Sequence, residues 1–478
     1  MDVAIVGGGP TGLTAALAAA RRGLTVELLE AGPSLGGMAA SPTVAGVRVD
    51  LGSHRLHPSA PAPVTKLLRE LLGDDLQLRE RNGRLRFGDR WVGFPFRAPD
   101  LVRRLPPRLV ARAAVDLARR PRTPGPARNY AELVHNGLGA TALREFHGPM
   151  AAKLWGRDPE ELSAELARRR VAVRTPGGLL RAMTRTTRRS GRGFYYPRTG
   201  YGTIVERLAE AATGLGVRLG TGSPVAGLEP ARSGGPVRLT GPGGGVVVAD
   251  RVLWTANPAA LLAAAEVDPS RRVAPPDTRA MVLVYLVVPL DRFSPIDAHY
   301  VPQLDVVFSR LSEPANYRDG PDPAGVTVLC AEVPCTVGDP LWSAGDDELA
   351  DLVRDGMGRC GLRPPAVRRA VTRRVRSVYP VLLADGPDTR RALLAEADRV
   401  AGVTVLGRQG LVVGDNLHHV MDMALAAVSC LPAPGGTVND HTAGDPARRD
   451  EAGWDEAGWD ESGWARHRRR FDRFVVAD

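Results

Sequence analysis

The sequence predicts an α/β fold, in which a Rossmann-like dinucleotide-binding domain is combined with an interleaved α+β substrate domain. The strand-like run DVAIV at 2–6 is followed by GGGPTG and an alanine-rich helical stretch from Leu13 to Arg22. A second strand-like run, TVELLE, ends in Glu30. The chain of 478 residues also exceeds the size at which a single hydrophobic core stops growing, which favours two domains.

The first glycine motif has the spacing of a phosphate-binding turn between a strand and a helix. Gly7 permits the tight turn, Gly9 lets the backbone approach a pyrophosphate, and Gly12 lets helix and strand pack closely. The amides at the start of the helix can then donate to phosphate oxygens. We therefore assign the whole turn to a dinucleotide; its residues are Gly7, Gly9, Pro10, Thr11 and Gly12.

The residues after the second strand decide between NAD and FAD. Glu30 lies 18 residues beyond Gly12, where a carboxylate can accept both hydroxyl hydrogens of an adenosine ribose. The glycine pair Gly36 and Gly37 follows, and the spacing E-x(5)-G-G resembles FAD enzymes of the amine oxidase, protoporphyrinogen oxidase and UDP-galactopyranose mutase group. The resemblance implies FAD bound in a GR2-type domain, with this segment, including Met38, running past the phosphates toward the isoalloxazine ring.

Four further stretches extend the resemblance over most of the chain. They are KLWGRDPEELSAELARRRVAVR (153–174), VRLGTGSPVAGLEP (217–230), ADRVLWTANP (249–258) and VTVLGRQGLVVGDNLHHVMDMALAA (403–427). In this family the Val225 position contacts adenine through its backbone. The last stretch is similar to the closing flavin motif, so Gly414, Asp415 and Asn416 are expected at the ring, where a helix N-terminus stabilises reduced flavin.

The same resemblance divides the chain into interleaved parts. It implies a discontinuous FAD-binding domain made of 1–60, 195–270 and 400–432. The substrate domain would comprise 61–194, which reads as largely helical, and 271–399, which contains strand-like runs. Residues 433–478 form a low-complexity tail.

The segment GSHRLH resembles the G-P-H-x-x-H motif of the mutases. Gly52, Ser53 and His54 then lie beside the flavin ring, and His54 and His57 are the candidate catalytic residues. A histidine there can hydrogen-bond a ring atom, orient substrate or move a proton, or it can simply pack under the ring. We expect no metal, because no third ligand accompanies the pair.

Four residues are candidates for substrate binding, namely Arg174, Tyr196, Arg408 and His418. Arg174 coincides with an arginine that approaches the sugar-nucleotide diphosphate in the mutases, although a basic surface position is the alternative. Tyr196 either lines the pocket or packs in the core. His418 and its neighbour His419 face different ways on a helix, so at most one points at the flavin.

Composition limits the partners. The net charge of +10 comes from a chain with only two lysines, Lys66 and Lys153, among 63 basic residues, and no nucleic-acid motif accompanies it. We therefore expect a small-molecule substrate, glycosylated and phosphorylated compounds included, and no nucleic acid. No apolar run is long enough to span a membrane, and a strand begins at residue 1 without room for a leader, so we expect a cytoplasmic protein.

The tail contains the five-residue repeat DEAGWDEAGWDESGW at 450–464. Period five matches neither helical nor strand facing, which disfavours a single amphipathic element. Docking on a partner or on a second subunit is one interpretation, and repeat expansion without function is the other. The sequence does not decide whether the protein forms a homo-oligomer.

The resemblance implies two chemistries. Oxidase relatives remove a hydride from substrate carbon, whereas the mutases use reduced flavin without net redox change. After Arg408 the mutases have a tyrosine-rich, arginine-containing run that binds diphosphate, but this chain has Val412, Val413 and Gly414. Each lost charged hydrogen bond costs about 1.5 to 3 kcal/mol. The leading hypothesis is an FAD-dependent oxidoreductase transferring a hydride to flavin N5, with a sugar-nucleotide mutase and a non-catalytic flavin-binding accessory protein as alternatives.

Overall fold

The computed structural model describes residues 1–96, 98–119, 125–171, 193–271, 273–385, 388–433 and 459–476. The strands are β1 (Val3–Val6), β2 (Val26–Leu29), β3 (Thr43–Val44), β4 (Val47–Arg48), β5 (Leu76–Glu80), β6 (Gly83–Phe87), β7 (Arg90–Phe94), β8 (Gly193–Pro197), β9 (Arg218–Gly220), β10 (Gly227–Glu229), β11 (Val237–Thr240), β12 (Val246–Ala249), β13 (Arg251–Trp254), β14 (Thr278–Val288), β15 (Ala298–Tyr300), β16 (Arg310–Ser312), β17 (Thr327–Cys335), β18 (Arg369–Pro380) and β19 (Val403–Val405).

The helices occur between these strands, several of them in succession. They are α1 (Pro10–Arg21), α2 (Ala62–Leu72), α3 (Ala98–Arg104), α4 (Pro107–Arg119), α5 (Tyr130–Leu138), α6 (Ala140–Ala142), α7 (Gly148–Trp155), α8 (Ala164–Arg170), α9 (Thr203–Gly214), α10 (Pro258–Ala264), α11 (Pro340–Ser343), α12 (Asp346–Arg359), α13 (Thr389–Ala397), α14 (Gly407–Gly410), α15 (Leu417–Ser429) and α16 (Glu461–Phe471). A π-helical segment, Leu143–His147, joins α6 to α7.

A parallel sheet of five strands confirms the α/β prediction. Its order is β19-β13-β1-β2-β9, so β1 lies at the centre between β2 and β13. Each residue of β1 is buried, as expected for a strand that is covered on both faces. The strands come from segments near the start, middle and end of the chain, which brings the opening glycine turn and the late glycine turn to the same sheet.

Helix α1 packs between this sheet and helices α9 and α15. Its small side chains explain the close contact, since eight of its residues from Thr11 to Ala19 are buried. The resulting core includes Ile5, Leu17 and Met421. This packing fixes the N-terminus of α1 relative to the N-terminal turn of α15.

A mixed sheet of seven strands forms the second layer, in the order β18-β14-β17-β16-β15-β6-β7. Neighbouring strands are antiparallel, except for the parallel pair β15 and β6. Strands β14 and β17 agree with the strand-like runs predicted in 279–334. The sheet has apolar clusters on both faces, one around Val284 and Phe308 and the other around Tyr285 and Val47.

Three of the strands, β5 to β7, lie in a region that the sequence predicts to be largely helical. The segments LQLRE, GRLRF and RWVGF follow one another along the chain. Only two residues separate each segment from the next. Short turns of this kind favour antiparallel hairpins, and β6 and β7 pair in that way. The helical prediction is therefore wrong for 76–94, where alternation with period two decides the structure.

Part of the tail is a packed element. Residues 459–476 form α16 and its flanks, and Trp459, Trp464 and Phe471 are buried in the same core as α1 and α15. The prediction against a single amphipathic element concerned the repeat at 450–464, of which 450–458 lies outside the described residues, and most of α16 lies beyond the end of that repeat at Trp464. Beyond it, Trp464 and Phe471 lie seven residues apart and share a face of α16.

Among the described residues, no helix is long and apolar enough to cross a membrane. The four cysteines, Cys330, Cys335, Cys360 and Cys430, are buried and free. No group of three or more histidine, cysteine, aspartate or glutamate side chains in the described part of the chain is arranged to hold a metal ion.

Candidate flavin and substrate site

The opening glycine turn has the geometry of a nucleotide cradle. Gly7 has φ +106°, and a Cβ there would lie 2.2 Å from Thr255 Oγ1. A Cβ on Gly12 would lie 1.9 Å from the carbonyl oxygen of Gly7, so both positions exclude side chains. Gly9, in contrast, has no atom within 4 Å of its hypothetical Cβ. Open space therefore adjoins Gly9, which is the N-cap residue of α1.

The carboxylate of Glu30 is held at the end of β2. Its two oxygens accept hydrogen bonds from the backbone amides of Gly8 and Gly32, each at 2.7 Å. A carboxylate oxygen can accept more than one hydrogen bond, so this arrangement orients the acid and leaves capacity for ribose hydroxyls. This position fits the prediction from the sequence that Glu30 binds the ribose of adenosine.

The second glycine pair lies directly against the first turn. The Gly36 amide donates to the carbonyl oxygen of Gly8 at 2.8 Å, and a Cβ on Gly37 would lie 3.3 Å from Gly9 Cα. Gly37 is exposed beside the open space, and Met38 follows it in a half-buried 3₁₀ turn. The E-x(5)-G-G segment thus extends the cradle away from Glu30. Val225, the predicted adenine contact, is half-buried beside the core of the same domain.

The late glycine turn closes on the opening turn. Gly407 has φ +85°, and a Cβ there would lie 2.6 Å from Thr11 Oγ1 at the start of α1. Further along the same loop, Val412 has φ +52°, a conformation that a β-branched residue rarely adopts. The loop is held in this shape by bonds from Arg390 Nε to Leu411 O at 3.0 Å and from Val413 N to Arg408 O at 3.0 Å.

Arg408 and Arg169 fix the residues before α15. Arg408 Nη1 donates to the carbonyl oxygen of Asp415 and Nη2 to that of Val378, both at 2.6 Å. Arg169 Nη1 lies 3.1 Å from Asp415 Oδ1 in a buried ion pair. Burial raises the pKa of Asp415, while Arg169 and Arg408 oppose the rise. Asp415 Oδ2 is buried and has no hydrogen-bond partner within the described ranges.

The N-terminus of α15 is capped by its own side chains. Asn416 is the N-cap residue and forms a capping box with His419, whose Nδ1 lies 3.4 Å from the Asn416 amide. His418 is buried, and its Nδ1 has no partner in the part of the chain that the structure describes. Burial, with His57 as a second cause, lowers the pKa of His418 to about 4. Gly414 lies close to Arg170, since a Cβ there would be 3.5 Å from Arg170 Nη2.

His54 lies on the loop after β4 and stacks on Tyr201 with 5.1 Å between ring centroids and an interplanar angle of 18°. Its Nδ1 is buried and makes no hydrogen bond to any described residue. Burial, together with the charges of Arg408 and Arg310, lowers the pKa of His54 to about 3. His54 is therefore a neutral imidazole between the late glycine turn and the seven-stranded sheet.

His57 is in a different environment from His54. Its Nδ1 lies 2.6 Å from Ser59 Oγ, and its charge contributes to the lowered pKa values of His418 and His419. The structure thus places His57 beside the start of α15. The two candidate catalytic histidines do not form an acid–base pair with each other.

Buried polar contacts from the second sheet anchor the loop around Ser53. The Ser53 amide donates to Glu332 Oε1 at 2.7 Å, and its carbonyl oxygen accepts from Arg310 Nη1 at 3.0 Å. Ser53 Oγ lies 2.6 Å from the hydroxyl of Tyr317. Gly52, with φ +106°, brings the backbone next to Glu332. The loop that presents His54 is therefore held by side chains on and next to the seven-stranded sheet.

The neighbouring Arg55 is also anchored to that sheet. It forms an ion pair with Asp297 at 3.1 Å, donates to the Tyr300 hydroxyl at 2.8 Å, and has its guanidinium over the rings of both Phe194 and Tyr317. The sequence patterns did not predict a role for these anchoring residues. For Glu332 a signal existed, since it is a lone acid within the apolar run VLCAEV.

Of the four predicted substrate contacts, Tyr196 takes the core position that the sequence left open, and Arg174 lies outside the described residues. Tyr196 is fully buried, and its hydroxyl donates to Asp50, which also accepts from Ser41 Oγ at 2.5 Å and the Tyr201 amide at 3.2 Å. Tyr196 therefore supports the core and does not line a pocket.

The residues present fit a flavin dinucleotide. An open glycine cradle, an oriented acid and a helix N-terminus suit the nucleotide, and the unpartnered Nδ1 atoms of His54 and His418 are available near the expected ring. The site has two neutral imidazoles and a buried Asp415 already paired with arginine. The site can bind and orient a cofactor or substrate and can exclude water. It offers no obvious strong base.

Comparison with known proteins places this geometry among flavoproteins. A family model described as flavin containing amine oxidoreductase matches residues 10–395, which is more than half of the chain. A crystal structure of reduced UDP-galactopyranose mutase superposes with a TM-score of 0.75 at 21% identity, covering 94% of this chain and 98% of that one. No curated protein matches the chain significantly in sequence.

Oxidases also share the fold. A protein described as a protoporphyrinogen oxidase from Exiguobacterium sp. 255-15 has a TM-score of 0.70 at 21% identity, covering 90% of this chain and 98% of that one. Cyclohexylamine oxidase from Brevibacterium oxydans IH-35A has a TM-score of 0.64 at 16% identity, with the same coverage. At these identities the structural likeness establishes the fold alone.

Proposed function

Because the chain belongs to the flavin-containing amine oxidoreductase family and so has FAD as its cofactor, we propose that it oxidises a small organic substrate by hydride transfer from a substrate carbon to flavin N5. The class of FAD-dependent oxidoreductase follows from the family. The hydride step and the substrate are the proposal. When bound, FAD supplies the hydride acceptor, and the chain supplies binding and orientation.

The nucleotide half of FAD would be held by the opening turn. Gly9 and the amides of α1 are placed for the pyrophosphate, and Glu30 for the ribose. Gly37, exposed against Gly9, is placed where the cofactor continues toward the ring. Val225 would contact adenine through its backbone.

The ring would lie between the His54 loop and the start of α15. The partial positive charge at the N-terminus of α15 favours electron-rich reduced flavin. His54 is neutral at physiological pH, since its pKa is about 3, and its unpartnered Nδ1 can accept or donate one hydrogen bond. We assign His54 to orienting the flavin ring or the substrate. An imidazolium with so low a pKa loses its proton readily, so the neutral imidazole is a weak base.

The single observation that favours oxidation over sugar-nucleotide isomerisation is the set of hydrogen bonds that Arg408 makes. Both of its terminal nitrogens donate to backbone carbonyls, so its guanidinium fork supports the loop before α15 and is not directed at a diphosphate. The positions that follow add nothing polar, since Val412 and Val413 are buried in apolar clusters. Arg408 therefore is not free to act as the bidentate partner of a diphosphate.

Anaerobic mixing tests the proposal directly. Oxidised protein is mixed with a panel of primary and secondary amines, and the visible flavin absorption is followed. Loss of the absorption on substrate addition supports hydride transfer. Interconversion of UDP-galactopyranose only after dithionite reduction would instead support the mutase. An FAD-loaded protein that does neither with any compound would support an accessory role.

A further inference from the structure

We propose that residues 459–476, here called the C-terminal brace, position the flavin-facing N-terminus of α15, with Asp472 and Phe474 as the positioning residues. The inference rests on the proposed function insofar as the N-terminus of α15 faces the flavin. The family match ends at residue 395, before both α15 and the brace. The brace makes contacts along the whole length of α15.

The brace begins at the C-terminal end of α15. The amide of Asp460 donates to the carbonyl oxygen of Cys430 at 3.1 Å. Trp459 is buried, lies under the guanidinium of Arg251, and contacts Trp464 edge to face with 6.0 Å between centroids. This apolar anchor attaches the brace to the core.

The brace then runs back along α15 in the opposite direction. Arg470 Nη2 donates to Asp422 Oδ2 at 2.8 Å in the middle of that helix, and Arg468 pairs at 2.5 Å with Asp398 after α13. Phe471, the residue after Arg470, is buried. The two helices are therefore joined by apolar and charged contacts, and they lie antiparallel.

At its far end the brace reaches the residues that form the N-terminus of α15. Phe474 stacks on His419 with 4.4 Å between ring centroids and an interplanar angle of 16°. His419 is the residue whose Nδ1 caps the Asn416 amide. Stacking on a ring fixes the orientation of that ring, so Phe474 holds the capping geometry.

A second contact reaches Asp415. Asp472 lies 3.5 Å from Arg169 Nη2, and the amide of Val476 donates to the Arg169 carbonyl oxygen at 2.7 Å. Arg169 in turn forms the buried pair with Asp415. Asp472 also lies 3.6 Å from Arg390, which bonds the Leu411 carbonyl. The brace thus contacts both arginines that shape the loop before α15.

These contacts have a consequence for the cofactor. The electrostatic effect of a helix terminus falls off within the first turn, so a small change in the orientation of Asn416 and its neighbours changes the field at the ring. Helix α15 already packs on α1, which fixes its axis. The brace adds the contacts that fix its capping residues.

The test compares Phe474→Leu and Asp472→Asn with Arg466→Ala. Leucine keeps apolar burial without a stacking ring, and asparagine keeps the shape of Asp472 without its charge. Arg466 is an exposed position on α16 whose side chain donates to Ser462 and pairs with Asp460, both within the brace, so its variant is the matched control. Phe474→Tyr restores an aromatic ring and tests for rescue.

Two readouts are measured on the full-length protein. Amide hydrogen exchange at 416–420 should accelerate in Phe474→Leu and Asp472→Asn, and should equal wild type in Arg466→Ala and Phe474→Tyr. The dissociation constant for FAD should rise about fivefold in the first two variants. Equal exchange at 416–420 in all variants would overturn the proposal.

The exchange readout also separates the two proposals. If the wild-type protein refuses FAD, the proposed function fails, while faster exchange in Phe474→Leu than in Arg466→Ala still supports the brace. If FAD binds normally but Phe474→Leu changes neither exchange nor affinity, the brace fails alone. Exchange that accelerates equally throughout α15 and α1 would show general loosening and would also contradict a positioning role.

Discussion

Gly407 lies against Thr11, so that a Cβ on the glycine would fall 2.6 Å from the threonine Oγ1. The contact joins the turn before α15 to the first helix of the chain, and it is the point where the two ends of the candidate flavin site meet. The backbone of Gly407 is also left-handed, with φ +85°. Glycine is therefore favoured at this position both by the close approach to Thr11 and by the backbone conformation.

Gly407→Ala should destabilise the protein. The positive φ alone costs about 1 to 3 kcal/mol in a residue with a side chain, and the approach to Thr11 adds to it. Urea denaturation measures the free energy of unfolding. Thr11→Ala removes Oγ1 and Cγ2, so the double variant should be less destabilised than the sum of the single variants. Strict additivity would show that the two residues do not touch.

His418 should make stability depend on pH. Its folded pKa of about 4 lies below the ordinary value of 6.5, so the unfolded chain binds more protons than the native state between these values. Stability is therefore lost as pH falls from 7 toward 4. One such group contributes about 2 kcal/mol of loss between pH 7 and pH 5. His418→Gln should reduce the loss by that amount in urea denaturation, and an unchanged loss would contradict a neutral buried His418.

Tyr196→Phe should affect folding and not substrate binding. The variant removes the hydroxyl that donates to the buried Asp50 and should cost about 1 to 2 kcal/mol of unfolding free energy. KM for any substrate found should equal that of the wild type. A raised KM with unchanged stability would instead favour a position in the substrate pocket, which is the other alternative that the sequence leaves open.

The two lysines offer a matched pair of substitutions. Lys153 is buried, and its Nζ donates to the carbonyl oxygens of Val301 at 2.8 Å and Phe308 at 3.0 Å; burial lowers its pKa to about 7. Lys153→Met leaves both carbonyls without this donor and should cost about 2 to 4 kcal/mol. Lys66 is exposed on α2, so Lys66→Met should change stability by less than about 0.5 kcal/mol. Equal changes in the free energy of unfolding for the two variants would show that the buried hydrogen bonds of Lys153 do not stabilise the fold.

The cradle could be predicted from the sequence because its constraints are local. Gly7 and Gly12 are required by contacts within one strand, turn and helix, and Glu30 follows at a fixed distance along the next strand. The family confirms FAD as the cofactor and the flavin enzyme class. The roles of the individual site residues are still predictions.

The rest of the site depends on contacts between distant segments. Glu332 and Arg310 meet Ser53 only after the seven-stranded sheet has formed, and no pattern near any of the three residues encodes that meeting. Phe474 meets His419 in the same way. Tyr196 was ambiguous because a tyrosine near a pocket and one in the core have the same sequence surroundings.

Binding of FAD by the wild-type protein and by Gly9→Ala tests the central claim, that the two ends of the chain enclose one FAD. The wild type should release FAD in equimolar amount on denaturation. Gly9→Ala should fold with unchanged stability, since no atom lies within 4 Å of the added Cβ, and should bind FAD about tenfold more weakly. Gly243→Ala, with equally open surroundings, is the control and should bind normally. A colourless wild type that refuses added FAD, or equal affinities in all three proteins, would contradict the account.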